Sequence, residues 1–386
     1  MANFAITNAT IYPVTSEPIE KGTLLWQDDK ITALGIGIEI PEDAQRIDGT
    51  GWVITPGFVD AHTHVGIQEE IYQEGDDLNE IAESAVTPEM RAIDGINPYD
   101  LAFMDALSGG VTTVMIAPGS ANVIGGSISI LKTAGTELDQ MVIDPEAGVK
   151  AAFGENPKRV YSELKKLPST RMGIAALLRQ ALTEAQDYEM KKRKDETDGE
   201  VVERDLGLEL LVRLLNREIP LRAHAHRADD LHTAIRIAKE FNLDLVLEHG
   251  TEAGKMIPIL LRENIPVVVG PSFANRAKVE MKDIGWKTAV DLAEAGVTVA
   301  LITDHGCTPI QYLSLCAAMT VRYGMTWHKA LETITINPAR IMKLDHRLGS
   351  LEPGKDADFA VFDGDPFHYR TRTRRTYVNG QLVWEG

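Results

Sequence analysis

Eight short apolar runs lie between residues 58 and 303, and they constrain the fold more than any other feature of the chain. Most of them are followed by a segment with a helical period of about 3.6 residues, in which apolar side chains recur as Leu231, Ala234 and Ala238 do. Strands that alternate with helices form parallel sheets, and eight such repeats close into a barrel. We therefore predict an α/β fold with a (β/α)8 TIM-type barrel. The predicted strands are residues 58–64, 111–117, 127–131, 149–154, 221–226, 243–248, 266–270 and 297–303.

The two ends of the chain are also rich in predicted strands. Residues 1–56 hold short apolar runs separated by turn formers such as Asp28 and Asp29. Near the other end, Asn379-Gly380 between two apolar runs predicts a hairpin. We predict that residues 1–56 and 346–386 build one small composite β-sandwich domain beside a barrel that spans residues 57–345.

Charge and composition exclude several classes of partner. The 386 residues include 39 Lys and Arg against 57 Asp and Glu, a formal net charge of −18, which disfavours nucleic acid and anionic membranes. No apolar run approaches the ~20 residues that cross a bilayer, and the N-terminus lacks the pattern of a signal peptide. The two cysteines, Cys307 and Cys316, are not expected to form a structural disulfide. We expect a cytoplasmic protein that acts on a small molecule.

Six of the ten histidines fall at the ends of predicted strands. His62 and His64 are two residues apart, and residues i and i+2 of a strand point to the same face. The carboxyl ends of barrel strands meet at one mouth, and neutral imidazole is a common ligand of zinc. The pattern therefore predicts a metal site at the mouth. The six residues are His62, His64, His224, His226, His249 and His305.

Asp304 ends the eighth predicted strand and is a candidate for two roles. Its carboxylate can complete the metal's ligand set. Beside a metal-bound water, it can also take a proton as the water attacks and return that proton to the leaving group. The alternative is an aspartate that caps the following helix.

The fourth strand offers two further candidates. Glu155 follows the strand and can ligate a metal directly, whereas Lys150 lies within it and can bridge two metals if CO₂ carboxylates it. We prefer Glu155, because a carboxylate needs no modification and the metal is expected at the strand's end. Lys150 remains the alternative ligand, and either residue can instead lie outside the ligand set.

Two loops at the mouth supply candidate substrate contacts. The glycine-rich stretch 119–127 lacks the Gly-Lys-Ser/Thr ending of a phosphate loop, so we interpret it as a tight turn beside the pocket, with Asn122 as a substrate contact. Tyr72 lies in the loop after the first strand and is a second candidate. A plain solvated loop is the alternative there.

Five motifs together resemble the amidohydrolase superfamily, and within it the imidazolonepropionase-like and prolidase-like branch. The resemblance covers nearly the whole chain. It is specific for the superfamily but poorly specific for substrate. The motifs are Pro-Gly-Phe-Val-Asp-Ala-His-Thr-His at 56–64, Glu-His-Gly-Thr at 248–251, Thr-Asp at 303–304, Asn-Pro-Ala-Arg at 337–340, and the segment 349–358.

The resemblance implies a metal-dependent hydrolase that acts on amide, often cyclic amide, or other C–N bonds. It assigns metal-ligand positions to His62, His64, His224 and His249, and a ligand and proton-shuttle role to Asp304. It favours His224 over His226 as the ligand from the fifth strand, which leaves His226 either facing the substrate or supporting the ligands from outside the ligand set. The metal is a divalent ion, with zinc as the leading choice and iron or manganese as alternatives, present as one or two ions. A homo-oligomer is a further expectation of the superfamily.

Our hypothesis is therefore a hydrolase in which Asp304 acts as base and then acid, while His249 or His226 stabilises the tetrahedral oxyanion. Two rival interpretations use the same scaffold. One is an aminohydrolase that deaminates an amino-heterocycle. The other is a non-catalytic assembly protein that has lost its metal.

Overall fold

The computed structural model describes residues 3–70, 77–135, 137–199, 201 and 203–386, and it contains two eight-stranded sheets. One sheet takes its strands from both ends of the chain. Its N-terminal strands are β1 (Asn3–Ile11), β2 (Ile19–Gln27), β3 (Lys30–Gly35), β4 (Gln45–Asp48) and β5 (Val53–Pro56).

The second sheet forms a nearly closed barrel and confirms the predicted fold. Its strands follow one another in chain order from first to last. They are β6 (Phe58–Thr63), β7 (Val111–Ile116), β8 (Ile124–Lys132), β9 (Val142–Ala152), β10 (Leu221–Ala225), β11 (Leu245–His249), β12 (Val267–Val269) and β13 (Val299–Leu301).

The first and last barrel strands are joined by polar contacts beyond the end of β13. The backbone N–H of His64 donates to the carbonyl of His305 over 2.8 Å. Asp60, buried in β6, accepts from the backbone N–H of Thr303 at 3.1 Å and from its hydroxyl at 2.5 Å. These bonds hold the loop that carries Asp304 against the strand that carries the two histidines.

The third strand departs from the regular repeat, because β8 runs antiparallel to both β7 and β9. Only residues 117–123 separate β7 from β8. A crossover between parallel strands needs about a dozen residues or more, so this connection can only return the chain as a hairpin. No helix lies between β7 and β8 in the described chain, whereas the barrel neighbours other than β8 pair in parallel.

Helices cover the barrel and fill most of the connections between its parallel strands. The helices are α1 (Ala92–Gly95), α2 (Leu101–Ser108), α3 (Leu138–Met141), α4 (Glu155–Glu163), α5 (Arg171–Asp198), α6 (Leu206–Leu215), α7 (Ala228–Glu240), α8 (Ile257–Glu263), α9 (Lys287–Glu294), α10 (Leu313–Arg322), α11 (Trp327–Glu332) and α12 (Ile336–Ile341). Within the described residues, none is both long and apolar enough to cross a membrane.

The terminal sheet is completed by β14 (Phe359–Phe362), β15 (Thr373–Val378) and β16 (Gln381–Glu385). Strand β14 pairs antiparallel with β5, which places the two chain ends side by side. Its core is built around the buried Trp26, whose indole N–H donates to the carbonyl of Gly380 over 3.0 Å. The sheet's strands lie within residues 3–56 and 359–385, and we retain 1–56 with 346–386 as the proposed limits of the domain.

Candidate metal centre

His62 in β6 and His64, one residue beyond the strand, are both buried, and a hydrogen-bond acceptor orients each ring. His62 Nδ1 lies 2.9 Å from a carboxylate oxygen of Glu248, and His64 Nδ1 lies 2.7 Å from the carbonyl oxygen of Ala117. Both partners can only accept, so each Nδ1 must carry the proton. The Nε2 atom of each neutral ring therefore has a free lone pair.

His249 at the end of β11 is oriented in the same way. Its Nδ1 lies 2.8 Å from the carbonyl oxygen of Gly270, while its Nε2 is buried without a hydrogen-bond partner. The two histidines near the end of β10 contact hydroxyls instead: His224 Nδ1 lies 2.9 Å from Ser120 Oγ, and His226 Nδ1 lies 2.8 Å from Thr251 Oγ1. All of these partners turn the Nε2 edges of the rings inwards.

The side chains form two adjoining groups, and within each group the ligand atoms lie within 4.8 Å of one another. One group is His62, His64 and Asp304, and the other is His224, His226 and His249. The rings of His62 and His249 connect them, with centroids 5.0 Å apart. Five of the six predicted histidines and Asp304 therefore converge, although they come from strands far apart in the sequence. The sixth, His305, belongs to neither group, and its Nε2 lies 3.2 Å from Glu70.

The contacts of Asp304 show whether the residues present fit a metal ion. Its Oδ1 atom lies 3.3 Å from His64 Nε2 and 3.4 Å from His62 Nε2, yet it is buried and accepts no well-aligned hydrogen bond. Because both Nε2 atoms carry lone pairs, two imidazole nitrogens and one carboxylate oxygen face one another, and Lys150 Nζ, 3.4 Å from His62 Nε2, is the nearby donor. A divalent cation with nitrogen and oxygen ligands satisfies this arrangement, so the residues present fit a metal.

Burial keeps the site in the protonation state that metal binding needs. It lowers the pKa of His62 to about 3, and it lowers the pKa of His224 and of His226 well below the ordinary value. Burial opposes ionisation of Asp304, but the close contacts with His64 and His249 hold its pKa well below the ordinary value. Neutral imidazoles and an ionised carboxylate result, as a metal requires.

Glu248 is a site residue that the sequence analysis quoted only as part of a motif. It is fully buried, bonded to His62, and paired with the buried guanidinium of Arg222, whose Nη2 also donates to the carbonyl of Ala61 over 2.7 Å. Burial raises the pKa of Glu248, but the charge of Arg222 and the hydrogen bond from His62 outweigh it and lower the value to about 2. A carboxylate and a guanidinium inside two neighbouring apolar strands were the sequence signal for this pair.

Of the two candidates from the fourth strand, Lys150 rather than Glu155 lies beside the other predicted ligands. Glu155 begins helix α4, where its carboxylate accepts only weakly from the backbone N–H of Glu280 over 3.4 Å, and it belongs to neither ligand group. Lys150 is fully buried, with Nζ 3.4 Å from His62 Nε2. Burial lowers its pKa to about 8, which increases the share of neutral amine. A residue within β9, rather than one beyond its end, therefore lies next to the metal centre.

Asn122, predicted as a substrate contact, makes several hydrogen bonds within the protein. This side chain is buried and already bonded: its amide donates to Glu80 O and Thr87 Oγ1, each over 2.8 Å, and its oxygen accepts from the Tyr161 hydroxyl over 2.7 Å. Asn122 therefore holds the glycine-rich loop in place. Tyr72 lies outside the described residues.

Two candidate residues have strained backbones. His249 and Asp304 adopt φ angles of 69° and 51°, in the left-handed region that favours glycine. Such strain persists where surrounding contacts fix it, and it concentrates at functional sites. Here it turns both side chains towards the centre at the ends of their strands.

The centre opens into a cavity of about 400 Å³. This is the size of a site for a small organic molecule. The wall includes His64, His224, His226, His249 and Asp304, so a ligand in the cavity reaches both groups.

Comparison with known proteins agrees with this site. The sequence profile of the amidohydrolase family matches residues 53–383, which include the barrel strands and all the candidate ligands. The chain belongs to the amidohydrolase family. This confirms the family predicted from the motifs, and it makes the protein a hydrolase of the amidohydrolase superfamily.

Individual relatives extend the likeness over nearly the whole chain. Amidohydrolase tasK of Hapsidospora irregularis is 30% identical over 392 residues, covering 95% of this chain but only 39% of that relative's length. An imidazolonepropionase of Mesorhizobium japonicum is 26% identical over 380 residues, covering 89% of this chain and 87% of the relative. The crystal structure of an amidohydrolase from Thermotoga maritima MSB8 is 45% identical, covers 99% of this chain and 100% of that one, and has a TM-score of 0.97.

Proposed function

We propose that the protein is a metal-dependent hydrolase that cleaves an amide or cyclic amide C–N bond of a small molecule. The observation that carries the proposal is the convergence of histidine lone pairs on the Asp304 carboxylate at the base of an open cavity. The amidohydrolase and imidazolonepropionase names of the relatives support the same reaction class.

The two ligand groups would hold the metal: His62, His64 and Asp304 on one side, with His224, His226 and His249 on the other. Lys150 adjoins the first group and would become a further ligand if carboxylated. A bound divalent ion would supply Lewis acidity, which lowers the pKa of water and polarises the scissile carbonyl. We propose zinc, with iron or manganese as alternatives, as one or two ions.

Asp304 moves the proton in this proposal. Its carboxylate is ionised, and Oδ1 has no competing hydrogen bond, so it takes a proton from the attacking water. The water oxygen bonds to the carbonyl carbon, and the C–N bond then breaks. Asp304 returns the proton to the departing nitrogen, which yields a carboxylic acid and an amine. His249 or His226 faces the carbonyl oxygen and stabilises the negative charge that develops there.

The variant Asp304→Asn tests this role. We expect kcat to fall roughly 10²- to 10⁴-fold, the usual contribution of a positioned acid–base group, while bound metal is largely retained. Activity is measured on a panel of cyclic amides, N-acyl amino acids and dipeptides, and metal per protomer is measured by elemental analysis. Asp291→Asn is the matched control, because its carboxylate pairs with Lys287 on the surface of α9.

Full activity of Asp304→Asn would overturn the mechanism. Release of ammonia from an amino-heterocycle, without opening of a ring, would identify an aminohydrolase instead. A purified chain that holds no metal, and is not stabilised when metal is added, would favour the non-catalytic interpretation.

A further inference from the structure

The wall of the cavity beyond the metal centre has an unusual charge for this chain. The protein as a whole carries a formal charge of −18. Yet among the described residues that line the cavity, the charged side chains are Asp304, in the metal centre, and two cations, Arg159 and Lys278. The rest of the polar wall includes neutral amides such as Gln68, Asn79 and Asn275. The cavity is therefore positive where the surrounding protein is acidic.

Lys278 lies in the segment after β12 and is held facing the histidines. Its ammonium group lies 3.9 Å from Glu280 Oε1, an ion pair too long for a hydrogen bond, and its side chain is 20% exposed. Lys278 and the rings of His224 and His226 line the same cavity. Lys278 thus keeps its three donors for a ligand that reaches the same space.

Arg159 reaches the cavity from the opposite element, helix α4. Asn156, one turn earlier on this helix, has its amide nitrogen 3.4 Å from His224 Nε2, and residues three apart share a helix face. Arg159 takes part in none of the ion pairs found among the described residues. Its guanidinium can therefore present two parallel donors to a planar anion.

We propose that the natural substrate carries a carboxylate, which Lys278 and Arg159 bind while its amide bond reaches the metal centre. This inference rests on the proposed function and names the substrate class: an N-acyl amino acid, dipeptide or cyclic amide with a free carboxylate. A carboxylate is favoured over a phosphate because the adjoining loop, Gly119 to Gly126, lacks the Gly-Lys-Ser/Thr ending of a phosphate loop.

The test compares matched substrates that differ only in charge. Each pair is a carboxylate and its carboxamide, for an N-acyl amino acid and for a cyclic amide, and the readout is the ratio of their kcat/KM values. We expect the metal-loaded wild type to prefer the carboxylate roughly tenfold or more, because hydrogen bonds to charged groups are strong and specific. Lys278→Met and Arg159→Met each reduce this preference, Lys278→Arg retains most of it, and Lys287→Met on exposed α9 is the matched control.

Several outcomes separate this inference from the proposed function. Equal hydrolysis of both members of each pair, or a preference that survives in the double variant, overturns the carboxylate site and leaves the hydrolase standing. A stronger preference for phosphate monoesters of the same amides also overturns it. If no amide is hydrolysed, calorimetry with the same pairs still decides. If only the carboxylate member of each pair binds, and Lys278→Met loses that binding, the carboxylate site is supported although the hydrolase proposal fails.

Discussion

Two clusters of buried charged residues in the described chain differ in how completely their polar atoms are hydrogen-bonded. One is the metal centre at the mouth of the barrel. The other, here called the Lys132 cluster, consists of Lys132 at the end of β8 with Asp356 and Asp358 from the segment before β14. It joins the barrel to the terminal sheet, and all three side chains are less than 5% exposed.

Every carboxylate oxygen of the Lys132 cluster has a donor. Lys132 Nζ donates to Asp356 Oδ2 over 2.9 Å and to Asp358, while Lys30 donates to Asp356 Oδ1 over 2.5 Å. Arg347 adds two bonds to Asp356, and the backbone N–H of Asn379 donates to Asp358 over 2.7 Å. The cluster is complete without any ligand.

In the metal centre, by contrast, His249 Nε2 and Asp304 Oδ1 are buried without hydrogen-bond partners. An unpaired buried polar atom costs about 1–3 kcal/mol, and a metal ion bound by these atoms would remove that cost. The comparison teaches that the convergence of unpaired ligand atoms, rather than buried charge itself, distinguishes this centre from the structural joint. Asp356 and Asp358 belong to the segment 349–358, one of the motifs that resemble the superfamily, yet they connect the barrel to the terminal sheet.

The largest expected effect is at the metal centre. Partners of metal ligands typically contribute 10–100-fold to affinity, so removing a ligand by His62→Ala should weaken metal binding by more than about 100-fold and abolish turnover. Elemental analysis after gel filtration measures the metal. His328→Ala, on the surface helix α11, is the control and should keep both metal and activity. A His62→Ala protein with a full complement of metal would show that the two groups are not a metal site.

Breaking the Lys132 cluster should affect stability instead. Lys132→Met leaves two buried aspartates without their shared cation, and we expect the free energy of unfolding to fall by about 3–5 kcal/mol. Urea unfolding measures this, with Lys239→Met at an exposed ion pair as a control expected to lose no more than about 1 kcal/mol. Metal affinity per folded protomer should be unchanged. Loss of metal without loss of stability would reverse the assignment of the two clusters.

Acid should weaken the Lys132 cluster in a defined range. Burial raises the pKa of Asp356, but the charge of Lys132 and the hydrogen bond from Lys30 outweigh it and lower the pKa from 3.8 to about 2. Because the folded-state pKa is the lower one, the ionised carboxylate stabilises the fold above about pH 4, and that stability is lost as the pH falls towards 2. The contribution is on the order of 2 kcal/mol. The free energy of unfolding of Asp356→Asn and of the wild type, measured at pH 6 and at pH 3, checks this prediction. The difference in free energy between the two proteins should be smaller at pH 3.

The smallest effect concerns a single partner of a ligand. Ser120→Ala removes the hydroxyl that contacts His224 Nδ1, and we expect metal affinity to fall about tenfold without loss of fold. Competition with a chelator of known affinity measures the change. Ser169→Ala, whose hydroxyl contacts only the nearby carbonyl of Lys166 in an exposed turn, should leave affinity unaltered. An unchanged Ser120→Ala would mean that His224 needs no orientation.

Much of this organisation could be predicted because it is local. A two-residue repeat decides that His62 and His64 share a face, and alternating strands and helices decide that strand ends meet at one mouth. The hairpin of β8 could also have been found, since the connection before it is too short for a crossover. The choice between Lys150 and Glu155 could not, because it depends on how far a strand runs before its helix begins.

The sequence by itself determined the barrel, the composite terminal sheet and the set of histidines, because periodicity and chain order carry that information. Only the tertiary structure decided which polar groups satisfy one another. The sequence suggested that the Asn122 side chain could contact a substrate, but in the structure it is hydrogen-bonded within the protein. Asp304 Oδ1 and His249 Nε2, in contrast, converge without hydrogen-bond partners. Hydrogen bonding and burial depend on distances of a few ångströms between residues far apart in the chain, and these distances exist only once the barrel has closed.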